Sequence, residues 1–244
     1  MKRYGLIGFP LGHSFSKKYF TDKFLRDGIT DAVYETFPLS NIEELPPLLA
    51  RYPDLVGLNV TIPYKEKVIG YLHEQSKVVS KTRACNCIHI KNGKLSGHNT
   101  DVIGFQQSLL DSFSHLPSRA LILGTGGASK SVEYVLKQLK ISYVLVSRKP
   151  TTNNLSYEQL TPGIIKQSEL IINTTPLGMF PMVVEAPPIP YEAIGASHCL
   201  FDLIYNPERT LFLQKGAERG ATVQNGSDML KIQAEESWKI WNAG

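Results

Sequence analysis

The chain is short of several features that would assign it to a special class. It carries three cysteines in 244 residues, Cys85, Cys87 and Cys199. An odd and sparse count builds no disulfide framework, so a reducing compartment, the cytoplasm, is expected. Cys85 and Cys87 are spaced C-x-C with His89 and His98 nearby. A closed zinc site draws on four ligands in paired spacings that are missing here, so no metal is expected and the thiols are read as packed. No apolar run approaches the roughly 18 residues of a membrane span, and the opening "YGLIGFP" lacks a signal-peptide pattern. No Lys/Arg run exceeds two residues and the net charge is only +4. That is too weak and scattered to argue for nucleic acid, and it suits an anionic small molecule. Repeats, low-complexity segments and clear linkers are also absent.

What is present is a substantial core. Hydrophobic residues make up 42% of the chain, enough to exclude disorder. "RYGLIGFP", "AVYETFPL" and "LVGLNVTIP" read as strands, "SKKYFTDKFLRDG" as a helix closed by Gly28, and "YKEKVIGYLHEQS" as another helix. "NIEELPPLLARYP" reads as a helix start interrupted by Pro46 and Pro47. "NCIHIKNGKLSGHNTD" reads as a hairpin turning at Asn92-Gly93. Later, "VIGFQQSLLDSF" has helical spacing, "ELIINTTPLGMF" and "HCLFDLIYNP" are buried strands with loops at their ends, and "TLFLQKGAERG" is a helix. "TVQNGSDMLKIQAEESWKIW" is a turn and a final amphipathic helix. Alternating strands and helices imply an α/β fold.

The strongest generic motif is "LILGTGGAS". An apolar strand runs into Gly124, then Gly126 and Gly127, then a helix. Glycines at such a turn let backbone N–H groups and the helix dipole meet a pyrophosphate. Ser129 stands where the dinucleotide fingerprint has Gly or Ala, and the motif sits inside a βαβ unit of about 30 residues. The next strand ends at Ser147, Arg148 and Lys149, where an NAD site would place an acidic residue for the ribose. An arginine and a lysine attract a 2′-phosphate that a carboxylate would repel, so NADP is expected. Interconverting an alcohol and a ketone then needs a proton shuttle near the alcohol oxygen. Lys65, just past Pro63 in "NVTIPYK", and Asp101, in "GHNTD", are the candidates. Burial lowers a lysine's pKa and a nearby carboxylate raises it, so which of the two transfers the proton stays open.

These stretches together resemble the shikimate and quinate dehydrogenase family along almost the whole chain. "GFPLGHSFS" is similar to G-x-P-x-x-H-S-x-S, "NVTIPYK" to N-V-T-x-P-x-K, "ACNCI" to A-V-N-T-[LI] and "GHNTD" to G-x-N-T-D. "GTGGAS", "SRK", "NTTPLGM" and "NGSDMLKIQ" resemble that family's cofactor and closing segments, in the same order.

The resemblance implies two domains. A substrate domain would span residues 1–101 and regain the C-terminal helix at 223–244, and a Rossmann-type NADP-binding domain would span 102–222, with the active site in the cleft between them. It implies that Lys65 and Asp101 are the catalytic pair, and that Ser14, Ser16, Asn59, Thr61, Asn86, Tyr205 and Gln233 hold the substrate. The cofactor would meet Gly124, Gly126, Gly127, Ala128, Ser147, Arg148, Lys149, Thr174, Gly226 and Met229. The implied activity is an NADP-dependent oxidoreductase acting on a CH–OH group, reducing 3-dehydroshikimate to shikimate on the route to chorismate and aromatic amino acids. A quinate or aminoshikimate dehydrogenase, or a shikimate sensor without turnover, is the alternative. The substrate is a small molecule, no nucleic acid or membrane partner is expected, and a monomer and a homodimer are both compatible. Lys17, Phe20, His98, Val102 and Asp228 depart from the family pattern. Asp228, next to the expected nicotinamide position, would either oppose the cofactor or point outward.

Overall fold

Strand alternation and one long excursion of the chain build the first of two sheets. The computed structural model describes residues 1–12, 15–113 and 115–243. The chain divides into two units, Met1–Thr100 with Ala234–Gly244, and Asp101–Gln233. The sequence reading put Asp101 on the first side and the return at 223; the observed division begins the second unit at Asp101 and the return at Ala234.

The first unit contains β1 (Lys2–Gly8), α1 (Phe15–Arg26), β2 (Ala32–Pro38), α2 (Leu45–Arg51), β3 (Leu55–Val60), β4 (Glu74–Gln75), α3 (Lys77–Thr82), β5 (Cys87–Lys91) and β6 (Lys94–His98). Its sheet has the order β2-β1-β3-β5-β6-β4. β1 lies parallel to both β2 and β3, while β3, β5 and β6 run antiparallel. The β5–β6 hairpin turns at Asn92 and Gly93, whose φ angles of 51° and 73° are the left-handed pair that a tight two-residue hairpin requires. One core gathers Ile7, Leu45, Leu58, Val68, Val79 and Ile88. A second, aromatic core gathers Tyr4, Phe20, Phe24, Tyr34 and Trp241.

Three expectations about local structure need correction. Pro46 and Pro47 do not interrupt a helix; they sit in the first turn of α2. The first turn needs no intrahelical N–H donor, and proline's fixed φ suits it. The segment 64–76 is not one helix. It forms a 3₁₀ stretch at Lys67–Tyr71 and then β4, and the α-helix starts only at Lys77, where the Ser76 hydroxyl accepts the Val79 N–H at 3.3 Å. Burying Val68 and Ile69 together against the core favours the short, tight form over a continued helix. Finally, the segment read as a turn before the last helix contains a strand.

The second unit contains α4 (Asp101–Ser112), β7 (Arg119–Leu123), α5 (Gly127–Gln138), β8 (Ser142–Val146), α6 (Pro162–Lys166), β9 (Leu170–Asn173), β10 (Cys199–Asp202), α7 (Leu211–Ala217), the unanticipated β11 (Thr222–Gln224) and the start of α8 (Ser227–Asn242). Its sheet, in the order β11-β10-β9-β7-β8, is parallel throughout. A parallel sheet is covered on both faces, which explains why "ALIL", "LII" and "CLF" are continuous apolar runs. This is the Rossmann-type arrangement. The strand order reverses at β7, between β8 and β9, and ligands bind such sheets at the carboxyl ends beside that switch. Among the described residues no helix is long and apolar enough to cross a membrane.

The last helix packs tightly on the first sheet. A Cβ added at Gly57 would lie 2.4 Å from the Trp241 indole, whose Nε1 donates to the Ile88 carbonyl at 2.9 Å. Gly57→Ala is therefore expected to destabilise the protein by about 1–3 kcal/mol, the usual cost of overpacking, read as a lower urea midpoint. An unchanged midpoint would mean that Trp241 does not set the closeness of this contact.

Candidate active site

In the first unit the predicted residues collect at one end of the sheet, where β3 breaks. Thr61 N–H donates to the Ile7 carbonyl at 2.9 Å, and Tyr64 N–H closes a turn onto the Thr61 carbonyl at 2.9 Å. Pro63 lies inside that turn. Lys65 follows at once, half-buried, with its carbonyl accepting the Cys85 N–H at 2.7 Å. The Tyr64 hydroxyl donates to the Leu39 carbonyl at 2.5 Å. Rigid backbone on both sides thus presents the lysine. A cleft of about 490 Å³ lined by Asn41, Glu43, Pro63, Tyr64, Lys67 and Tyr71 flanks the same turn, but none of the predicted site residues lines it.

Asn59 and Asn86 are almost fully buried, at 4% and 3% exposure, and both amides have protein partners. Asn59 Oδ1 accepts from the Tyr34 hydroxyl at 2.8 Å, and its Nδ2 donates to Ser237 Oγ at 2.9 Å. Asn86 Oδ1 accepts the Thr100 N–H at 2.7 Å, and its Nδ2 donates to Thr100 Oγ1 at 2.9 Å. That clamp fixes the backbone immediately before Asp101. Ser16, in the first turn of α1, is buried and hydrogen-bonds the Tyr34 phenol, whose pKa burial pushes well up while Ser16 opposes the rise. Ser14 lies outside the described residues. Phe20, one of the departures, stacks on Tyr34 with ring centroids 4.6 Å apart.

In the second unit Asp101 is buried at the start of α4. Gln233, buried on α8, donates to the Leu230 carbonyl at 3.0 Å. A Cβ on Gly104 would fall 2.6 Å from the Met229 carbonyl and 3.2 Å from Gln233 Cβ, so α4 and α8 meet at van der Waals contact there. Gly226 comes equally close to the loop after β10: a Cβ would lie 2.2 Å from the Leu203 carbonyl oxygen. Tyr205 is half-buried in that loop. Asp228 is exposed and paired with Lys231 at 3.4 Å, so this departure points outward.

The glycine turn has the features of a phosphate cradle. Gly124 has φ +111°, and a Cβ there would meet Thr174 Oγ1 at 2.6 Å. A Cβ on Gly126, by contrast, would meet open space. Gly126 is also the N-cap of α5, with no side chain capping the helix, so its first N–H groups are directed to whatever occupies that space. Gly127 and Ala128 form the first turn. At the end of neighbouring β8, Ser147 Oγ accepts the Lys149 N–H at 3.3 Å, and Arg148 and Lys149 are exposed. The Arg148 charge is close enough to Tyr157 to oppose the rise that burial gives its phenol. A dinucleotide with a 2′-phosphate fits this set: open glycine, uncapped helix and two cations one strand away. Cys85 and Cys87 are buried in the first unit, and among the described residues no cluster of three or more His, Cys, Asp or Glu has metal-site geometry.

The sequence reading passed over a buried group beside these loops. Asp202, fully buried at the end of β10, accepts from Asn173 Nδ2 at 3.1 Å, from the Ile204 N–H at 3.0 Å and from Thr210 Oγ1 at 2.6 Å. The available signal was an aspartate inside the apolar run "CLFDLI", since such a residue is rarely buried unless paired. Ser237 left no such signal, being one polar residue on an amphipathic helix.

Comparison with known proteins places these features in context. Residues 6–88 match the family model described as the shikimate dehydrogenase substrate binding domain. The chain is 35% identical to a shikimate dehydrogenase (NADP(+)) of Caldicellulosiruptor saccharolyticus, covering 99% of this chain and 92% of that protein. It is 36% identical to one of Halothermothrix orenii, covering 97% and 89%. Among solved structures, a chorismate mutase/shikimate 5-dehydrogenase fusion protein from Clostridium acetobutylicum superposes with TM-score 0.87 at 35% identity, covering 99% of this chain and 91% of that one. Shikimate 5-dehydrogenase from Thermus thermophilus, solved in complex with NADP(H) and shikimate, gives TM-score 0.87 at 26% identity, covering 99% and 94%.

The buried aspartate makes a pH dependence. Desolvation pushes Asp202 up to about 6 from an ordinary 3.8, with its three hydrogen bonds opposing the rise. The folded state therefore holds this proton more tightly than the unfolded chain. The contribution is most favourable below pH ~4 and is lost as pH rises through ~6, about 3 kcal/mol in all. Urea unfolding of wild type and Asp202→Asn at pH 4.5 and 7.5 should show wild type losing ground to the variant as pH rises. A pH-independent difference would contradict the assignment.

Proposed function

Because the chain belongs to the shikimate dehydrogenase family, we propose that it catalyses the reversible, NADP-dependent reduction of 3-dehydroshikimate to shikimate. The observation that carries this reading is the full-length likeness to NADP(+)-dependent relatives, together with Arg148 and Lys149 standing exposed beside an open glycine cradle. Bound at the cradle, NADP supplies the hydride in one direction and accepts it in the other. Gly124, Gly126, Gly127 and Ala128 hold its pyrophosphate through backbone N–H groups. Ser147, Arg148 and Lys149 hold the 2′-phosphate, and Thr174, Gly226 and Met229 bound the nicotinamide end.

The chain's own chemistry is the proton. Lys65 and Asp101 exchange it at the substrate's alcohol oxygen, the lysine presented by the Thr61–Tyr64 turn and the aspartate by the Asn86–Thr100 clamp. Ser14, Ser16, Asn59, Thr61, Asn86, Tyr205 and Gln233 hold the substrate's hydroxyls and carboxylate. For the two asparagines the proposal includes a second duty: their bonds to Tyr34, Ser237 and Thr100 orient the amides before any substrate arrives. Three buried cysteine thiols suit a reducing compartment, so we place the reaction in the cytoplasm, on the route to chorismate and aromatic amino acids.

The direct test mixes purified protein with shikimate and NADP⁺, then with quinate and with NAD⁺, following reduced nicotinamide by absorbance. A rise with shikimate and NADP⁺ supports the reading, and a faster rise with quinate would replace the substrate. Binding of shikimate without turnover in any mixture would mark a sensor. Lys65→Ala should lower kcat by several orders of magnitude and leave shikimate binding, measured by calorimetry, nearly intact; near-normal turnover would end the proposed role. Arg148→Ala should raise KM for NADP⁺ about tenfold or more, the scale of one charge-assisted phosphate contact, and leave KM for NAD⁺ almost unchanged. Equal effects on both would exclude recognition of the 2′-phosphate.

A further inference from the structure

The family reading leaves the buried carboxylate of Asp202 without a task. We propose that Asp202 is a positioning residue for the cofactor site, holding in register the loops that carry Thr174, Tyr205 and Gly226. This inference rests on the NADP-dependent reading above.

The bonds can be followed outward from the carboxylate. Toward β9, Oδ1 accepts from Asn173 Nδ2 at 3.1 Å. The other end of that amide, Asn173 Oδ1, accepts the Thr175 N–H at 3.0 Å and the Thr175 hydroxyl at 2.7 Å. The residue between them, Thr174, has its hydroxyl on the Leu123 carbonyl at 2.7 Å and lies where a Cβ on Gly124 would be. The first branch therefore ends against the phosphate cradle. Toward β11, the same Oδ1 accepts the Ile204 N–H at 3.0 Å, and the Ile204 carbonyl accepts the Gly226 N–H at 3.0 Å. Ile204 precedes Tyr205, and Gly226 precedes α8, so the second branch sets both. Toward α7, Oδ2 accepts from Thr210 Oγ1 at 2.6 Å, and the same hydroxyl caps α7 by accepting the Leu213 N–H at 3.3 Å. Thr210 in turn lies beneath Gly178, whose φ is +93° and where a Cβ would sit 3.5 Å from Thr210 Cβ.

One carboxylate thus joins the loops after β9 and β10 directly, and the loop after β11 through Ile204, at the carboxyl edge of the sheet. Burial raises the free energy of its charged form, so the charge costs stability at neutral pH. A group kept on those terms is better explained by what it holds in place than by the stability of the fold. An asparagine has nearly the same shape but offers one acceptor oxygen where the carboxylate has two, so the Thr210 hydroxyl loses its acceptor.

The test compares wild type with Asp202→Asn and Thr210→Val, each first checked for a cooperative urea transition at neutral pH. Calorimetry then measures binding of NADP⁺ alone and of shikimate alone. The expected result is an NADP⁺ Kd raised about tenfold with a shikimate Kd raised less than about threefold, and recovery of NADP⁺ affinity in Thr210→Ser, which keeps the hydroxyl. Should Asp202→Asn fail to fold, the Thr210 pair decides the matter alone. Unchanged NADP⁺ affinity in the folded variants would overturn the inference, as would equal losses for both ligands, which indicate general loosening. Wild type that turns over shikimate but shows no NADP⁺ preference would refute the cofactor reading, and the inference with it. Wild type that binds NADP⁺ beside variants of equal affinity would refute the inference alone.

Discussion

The first unit depends on a contact that the chain cannot make until its end. Ser237 accepts from Asn59 Nδ2, 178 positions earlier, and lies 3.3 Å from Thr100 Oγ1, 137 positions earlier. One turn further along α8, Trp241 covers Gly57 and bonds to Ile88. Lys23, almost buried, is satisfied by Glu235 at 3.0 Å and Asp27 at 3.1 Å. Without residues 234–242 the middle of the sheet would expose Tyr4, Phe20 and Tyr34 and leave a buried amide short of an acceptor. Contacts of such sequence separation must overcome a large loop-closure entropy. The aromatic cluster around Trp241 supplies apolar burial on the scale needed to do so.

The same contact reaches the proposed chemistry. Asn59 and Asn86 lie on or beside strands that Ser237 ties together, and Asn86 grips Thr100 just before Asp101. The polar groups near the proposed substrate therefore form a network whose members orient one another. Buried polar groups of this kind are costly when partly satisfied and rigid when fully satisfied. Pre-orientation of this sort lowers the entropy lost when a polyhydroxylated ligand binds.

The second unit solves a different problem. A parallel sheet is covered on both faces and leaves only its carboxyl edge for function. There Gly124 and Gly126 leave the backbone open to close approach, and Asp202 ties the loops after β9 and β10 together by hydrogen bonds. Arg148 and Lys149 remain in solvent, as suits side chains that would meet a phosphate from outside.

Legibility followed the range of the forces involved. The glycine turn, the Asn92-Gly93 hairpin and the strand ended by Pro63 are local: φ restrictions and side-chain alternation over a few residues specify them, so the α/β class and the Rossmann-type unit could be read directly. Lys65 and Asp101 are proposed on the ordered motifs that carry them. Pro46 and Pro47 were misread because proline is tolerated or forbidden according to its place in a helix turn, and only the observed start of α2 settles that place. The 3₁₀ stretch at Lys67–Tyr71 and the short β11 depend on which core or edge receives them. The bonds of Asn59 to Tyr34 and Ser237 and the bond of Asp202 to Asn173 join residues 25, 178 and 29 positions apart in the chain. By itself the sequence determined which local shapes and chemical groups the protein has. Which of those groups face one another was decided by tertiary structure alone, because hydrogen bonds and desolvation act across space and leave no periodic trace along the chain.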